Sequence, residues 1–421
     1  MKKVIFISFY FPPTGVGSAI RVAKFIKYFN EFDIEPIVLT APEDTYGSKD
    51  YSLLNDIPEN IKVIRIHSFY LPNLMPKFKF LKLNQIISFA NRYFVWPDSA
   101  IHWAKKAFSR ALNLINEDKI DTIITTGGPF STHLIGLWIK NIYPDIYWVA
   151  DFRDEWTTNP FVHYSFFRKL YEKRLEKKVF EKADKIIAIS KKMKEVFVSL
   201  YPDYKEKNEV IYNGFDEYDF LNLKNIEKVN YNESILNIVY TGTIYGLRNP
   251  FNFFKALSIL QKDKEYQNKI KVDFIGHDSY LIRKGIKKFK LNNIVKIKEK
   301  IPHNLLFSEI SNYDLLLLLI GSGEKAKRII TGKVFEYLRL YKPILALGPE
   351  DSEVADIINF TDSGIVVEFS DIDKITNTLK ELYQLKKSKK LDDKYKFIKE
   401  RIDQFNRKNL TKKLAEIIKK D

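Results

Sequence analysis

Arg328-Ile-Ile-Thr-Gly-Lys-Val-Phe-Glu-Tyr-Leu-Arg-Leu-Tyr-Lys-Pro343 stands between two short apolar runs, Asp314–Leu319 before it and Ile344–Leu347 after it. Both runs have the length of a buried strand, and the stretch between them reads as a helix opened by Thr331-Gly332. Strand, helix and strand in this order predict a parallel sheet covered by helices.

The same alternation extends outward in both directions. Leu236–Tyr240, Lys271–Ile275 and Ile294–Ile297 precede the quoted stretch as strands, and Gly364–Glu368 follows it. In the first half Val4–Phe9, Pro36–Thr40, Val63–Ile66, Thr122–Thr126, Tyr147–Asp151 and Lys185–Ile189 read as strands. Amphipathic helices are expected over Ile20–Phe29, Trp103–Ile115 and Phe166–Phe180. A polar stretch from about Asn213 to Ser234 reads as a linker, and Asp392–Lys419 as helices with no further strand. The fold class expected is therefore α/β, with two doubly wound Rossmann-like domains facing each other across a cleft at their C-terminal strand edges. Their expected limits are 1–212 and 235–391, with a linker at 213–234 and closing helices at 392–421 that fold back onto the first domain.

A chain of 421 residues suits two such domains, and 45% hydrophobic with 14% aromatic residues can fill two cores. The absence of cysteine removes disulfides, thiolate metal sites and thiol nucleophiles together, and fits a reducing cytoplasm. Lys and Arg number 69 against 53 Asp and Glu, a formal charge of +16 that favours anionic partners. Nucleic acid is not expected among them, because no zinc spacing, helix-turn-helix pattern or aromatic RNA-reading motif is found. Met1-Lys2-Lys3 and the run after it read as a buried strand rather than a leader, since Pro12-Pro13 ends the run with no small-residue cleavage site.

Four segments concentrate chemistry. Tyr10–Arg21 follows the first strand and opens a helix, with Gly15 and Gly17 letting backbone amides approach an anion. Ile20 stands where a dinucleotide fingerprint would need its third glycine, so a nicotinamide cofactor is not expected. Thr125-Thr-Gly-Gly-Pro-Phe-Ser-Thr-His133 also ends a strand and opens a helix; His133 faces either the cleft or the helix flank. Asp151-Phe-Arg-Asp154 places charges at a strand end, either for chemistry or for a loop-holding Arg153 ion pair. Lys333 and Glu336 fall on one face of a first helical turn. A cation and a carboxylate there suit a diphosphate and a ribose diol; the plainer alternative is a surface ion pair. Asp371-Ile-Asp373 could spell a metal motif, yet both acids are explained by opening the helix Lys374–Tyr383.

Taken together, these segments resemble the family-4 retaining glycosyltransferases, of the bacterial cell-surface polysaccharide type, which have the two-Rossmann-domain GT-B fold. The resemblance runs through Phe9–Pro13 with Gly15-Val-Gly17, Gly127–His133, Asp151–Asp154, Ala183–Ser190, Val210–Gly214, Tyr240–Thr243 and Gly332–Tyr337. It implies a nucleotide-sugar donor, a glycan or lipid-linked acceptor, and no metal or other cofactor. Glu336 is thereby expected on the donor ribose, with Lys333 beside it. Arg248, in the loop after Gly242, is expected on the diphosphate, with Gly15 and Gly17 beneath the donor and Gly242 and Arg328 also among the donor-binding residues. Asp151, Arg153, Asp154 and His133 are expected on the catalytic and acceptor side. Many members carry a further glutamate eight residues before the ribose-binding one; here that position is Arg328, and Glu324 is out of register. A sugar-nucleotide epimerase of the same architecture, or a non-catalytic glycan-binding protein, are the competing expectations. A cytoplasmic location is expected, with Pro76–Leu83 interleaving basic and apolar residues suited to an anionic membrane face.

Overall fold

The apolar runs become strands because parallel sheets bury both faces, which demands continuous rather than alternating hydrophobicity. The computed structural model describes residues 1–47, 49–68, 95–159, 162, 164–225, 234–244, 246, 248–276 and 279–419. The Pro76–Leu83 segment lies outside them. The chain divides into two units, Met1–Asn213 with Arg407–Asp421, and Gly214–Asn406.

Unit 1 carries β1 (Lys2–Ile7), β2 (Ile34–Thr40), β3 (Lys62–Arg65), β4 (Thr122–Thr126), β5 (Tyr147–Phe152), β6 (Lys185–Ala188) and β7 (Asn208–Val210). They form one sheet in the order β3-β2-β1-β4-β5-β6-β7. Ile5 pairs in parallel with Ile37 on one side and Ile123 on the other. The strand order reverses between β1 and β4, so the loops leaving these two strands diverge and open a crevice for ligands. Val4 and Phe6 of β1, Val38, Ile124 and Val149 share a core with Val22, Phe25 and Phe29 of the helix Gly17–Phe29. Leu410, Leu414 and Ile418 of the last helix, Arg407–Lys419, join that core. Tyr147 Oη also donates to the carbonyl of Ile417 at 3.2 Å.

Unit 2 carries β8 (Leu236–Thr241), β9 (Ile270–Ile275), β10 (Val295–Lys298), β11 (Leu315–Leu319), β12 (Ile344–Leu347) and β13 (Gly364–Val367). Their order is β10-β9-β8-β11-β12-β13, with the reversal between β8 and β11. Its core is built on Leu236, Ile238 and Tyr240 of β8 and Leu315, Leu317 and Leu319 of β11, covered by Phe253, Phe254 and Leu257.

Two expected boundaries fall differently. The stretch 213–234 is not wholly a connector, because residues 214–225 belong to unit 2. There Glu217 takes two hydrogen bonds from Arg339 Nε, at 2.7 and 2.8 Å, and Phe220 stacks on Phe307 with centroids 4.4 Å apart. Likewise 392–406 stays with unit 2, where Phe405 packs on Phe335, and only the helix from Arg407 returns to unit 1. Asp371 caps its helix, accepting from the Lys374 N–H at 2.9 Å. No helix among the described residues is long and apolar enough to cross a membrane.

Candidate active site

In unit 2 the decisive residues converge beyond the C-terminal end of β8. Helix Gly332–Arg339 starts after Thr331, whose side chain makes no capping hydrogen bond, and its first turn presents Lys333 and Glu336. Lys333 lies across the ring of Tyr240, its ammonium 4.4 Å from the centroid and 3.3 Å from the hydroxyl. Beneath it is Gly242, at φ +96°, where a Cβ would come within 2.6 Å of Lys333 Nζ. The positive φ favours glycine at this position, and a side chain there would push the lysine terminus aside. Tyr337, one residue past Glu336, braces the same strand end through its hydroxyl, 3.0 Å from Thr241 Oγ1.

The charges here are arranged for an anion. Burial first, and then the neighbouring Arg248 cation, push the Lys333 ammonium down from 10.5 to about 8, against the opposing pull of Glu336. Two cations held close at a helix N-terminus are costly without a counter-charge, and a diphosphate supplies one. The sign for stability follows from linkage. The folded value lies below the ordinary one, so the cost of charging Lys333 is present below pH about 8 and relieved as pH rises toward 10.5. Anion binding runs the other way, because it needs the ammonium. Nucleoside diphosphate affinity is expected to fall as pH rises through about 8, and Lys333→Met should abolish that slope. Isothermal titration across pH 7 to 10 on both proteins checks this; a pH-independent wild type would refute it.

Arg328 ends the short helix Glu324–Lys327, one turn upstream of Lys333. Glu324 is bound to Lys327 at 2.6 Å, and Lys327 also holds Asp351 at 2.8 Å. Glu324 thus faces solvent as part of a surface triad.

In unit 1 the loops after β1, β4 and β5 meet at one sheet edge. Gly15 and Gly17 are exposed, and a Cβ on Gly17 would meet nothing within 4 Å. The loop before them is held by Arg65 Nη2, which donates to the Pro12 carbonyl at 2.6 Å. Arg153 crosses Gly128, which sits at φ +72°, and pairs with Asp154 at 3.0 Å. Asp154 remains about half exposed and available at the edge.

Two expected site residues turn inward instead. Asp151 is 1% exposed and receives Arg21 Nη2 at 2.8 Å, Arg21 Nε at 3.1 Å and Thr126 Oγ1 at 2.9 Å. Its oxygens are already occupied, so it holds the strand end together. His133 is fully buried, stacked on Phe152 at 4.3 Å, with Nδ1 2.8 Å from Thr125 Oγ1. Burial drives its pKa to about 3, against the pull of Asp151, so the imidazole is neutral. Trp148 Nε1 also donates to Thr125 Oγ1, at 2.9 Å. The other ring nitrogen, Nε2, faces Gly127 and has no partner among the described residues.

Arg21 is the residue that sequence reasoning passed over. It is wholly buried and also donates to the carbonyls of Ile211 and Tyr212, at 3.0 and 2.9 Å. A signal existed: Arg21 interrupts the apolar face formed by Ala19, Val22, Ala23 and Phe25.

Residues 17–218 match the model of Glycosyltransferase Family 4. Over this segment the chain is similar to the glycosyltransferases of family 4. Solved structures similar to the whole chain include a glycosyltransferase from Rickettsia africae, 15% identical with a TM-score of 0.67, covering 99% of this chain and 98% of that one. HepE from Anabaena in complex with UDP is 14% identical, with a TM-score of 0.63 and 99% of each chain covered. A UDP-N-acetylglucosamine 2-epimerase from Listeria monocytogenes is 14% identical, with a TM-score of 0.56, covering 100% of this chain and 96% of that one. A comparison with curated proteins finds no match. The chain therefore has the GT-B fold of two Rossmann-like units.

Proposed function

We propose that this glycosyltransferase moves a sugar from a nucleotide-sugar donor to a glycan or lipid-linked acceptor, with retention at the anomeric carbon, in surface polysaccharide synthesis. The observation that carries the reading is Lys333 held over Gly242 and across Tyr240, with the Arg248 charge near enough to lower its proton affinity and Glu336 three residues on along the helix.

Breaking the bond between the anomeric carbon and the phosphate oxygen leaves an electron pair on the diphosphate. Lys333, Arg248 and the amides opening helix Gly332–Arg339 neutralise that charge as it develops. Glu336 accepts from the ribose hydroxyls, fixing the nucleotide. Gly15 and Gly17 offer backbone N–H groups to the donor, and Asp154 with Arg153 orients the acceptor. The departing phosphate takes the acceptor proton, so no separate carboxylate base is assigned. The reading uses the chain's own cations and amides and calls for no metal or cofactor.

Glu336→Ala should remove charge-assisted hydrogen bonds of roughly 1.5–3 kcal/mol. Donor and nucleoside diphosphate affinity should then weaken by about 10- to 100-fold, measured by titration calorimetry. Loss of affinity for the full donor but not for the diphosphate would move Glu336 onto the sugar and overturn the assignment. The epimerase fold neighbour supports a second reading, in which the donor sugar is altered and never transferred. Donor turnover with no glycosylated product would favour it.

A further inference from the structure

Helix Phe166–Lys182 buries Val179 and Phe180 near its C-terminus, but its first three turns are reversed relative to an ordinary surface helix, which buries apolar residues and exposes its acids. Its inward face carries Glu172 and Glu176, both fully buried. Glu172 accepts from Trp156 Nε1 and Arg168 Nε, while Glu176 accepts from the hydroxyls of Thr157 and Tyr201. Its outward face begins with Phe166 and Phe167, 71% and 77% exposed, with ring centroids 5.6 Å apart. Leu170 and Tyr171 extend this apolar tip, at 44% and 41% exposed. Behind the tip Lys169, Lys173, Arg174, Lys177 and Lys178 are all exposed, and Glu181 is the one exposed acid among the helix's described residues.

The two glutamates spent inward cannot offset these cations, so the outward face is an aromatic tip with a basic collar. A second copy of this chain would bring like charges together on such a face. A bilayer with anionic lipids matches both parts: aromatic rings settle at the acyl boundary, and lysine and arginine reach the phosphates. The tip also stands where it would be useful. A helix following a parallel strand runs back against it, so Phe166 begins at the sheet edge where β5 ends and Arg153 and Asp154 follow.

We propose that Phe166–Lys182 is a bilayer-docking surface that seats Phe166 and Phe167 at the lipid interface and its cations on anionic headgroups. The surface does not rest on the sugar-transfer reading, and its test reads lipid binding rather than turnover. The full chain is floated with vesicles of phosphatidylcholine alone and with vesicles containing about one-third phosphatidylglycerol, at low and high salt. The wild type should float with the anionic vesicles, less so at high salt. Phe166→Ser with Phe167→Ser should lower partitioning on the order of 10-fold or more. Changing Lys169, Lys173, Arg174 and Lys177 to Glu should lower it about fivefold per cation. Because all six side chains are largely exposed, both variants should keep the wild-type melting transition. A wild type that ignores anionic vesicles overturns the proposal, whether the face then serves a second copy or an acidic protein. So does either variant if it floats like the wild type.

Discussion

Lys333→Ala is expected to lower turnover by on the order of 10² or more, beyond any loss in donor affinity. The reason lies in where the ammonium is held. It rests on the Tyr240 ring, beside Gly242, with Arg248 near enough to depress its proton affinity. A cation preorganised in this way gains most when negative charge grows on the leaving phosphate, so its effect is larger in the transition state than in the bound donor. Lys333→Arg should not rescue fully, because the broad guanidinium cannot take the place of a compact ammonium seated on the Tyr240 ring. Steady-state rates with saturating donor decide the point. If Lys333→Ala raised KM with kcat unchanged, the lysine would contribute only uniform binding. Near-native values of both would leave it a surface charge and remove the central support for the donor site.

Arg21→Ala should cost about 3–5 kcal/mol of stability, because it strands the Asp151 carboxylate inside unit 1. Both side chains are almost wholly removed from solvent, at 0% and 2% exposed, and Arg21 also satisfies the carbonyls of Ile211 and Tyr212. For a unit of this size the loss corresponds to a fall in Tm of roughly 6–20 °C. Asp151→Ala should be costly too, and the double variant should lose clearly less than the two single losses together. Thermal unfolding of the three variants provides the cycle. Strict additivity would show that the pair does not act as a unit. An Asp151→Ala protein of native stability but no turnover would return Asp151 to the chemistry, against its buried geometry.

The residues legible in one dimension are those whose signal is local. Leu315–Leu319 reads as a strand because a run buried on both faces must be apolar throughout. Lys333 and Glu336 read as a site because three residues along a helix bring side chains to one face. By contrast β7, Asn208–Val210, has three residues and no apolar run, and only its pairing with β6 makes it a strand.

Sequence alone thus determined the two α/β halves and the helix bearing Lys333 and Glu336. Periodicity and turn chemistry act over a few residues, and composition over the whole chain, so both can be read along the chain. Only the tertiary structure decided that Tyr240, 93 residues away, would carry Lys333, or that Arg21, 130 residues from Asp151, would draw it inward. It also decided that His133 would be neutral and enclosed, and that Glu172 and Glu176 would turn into unit 1 while Phe166 and Phe167 faced out. Those outcomes depend on which surfaces meet when sheet and helices pack. The cost of burying a charge or a ring nitrogen is set by neighbours that the chain order does not place together.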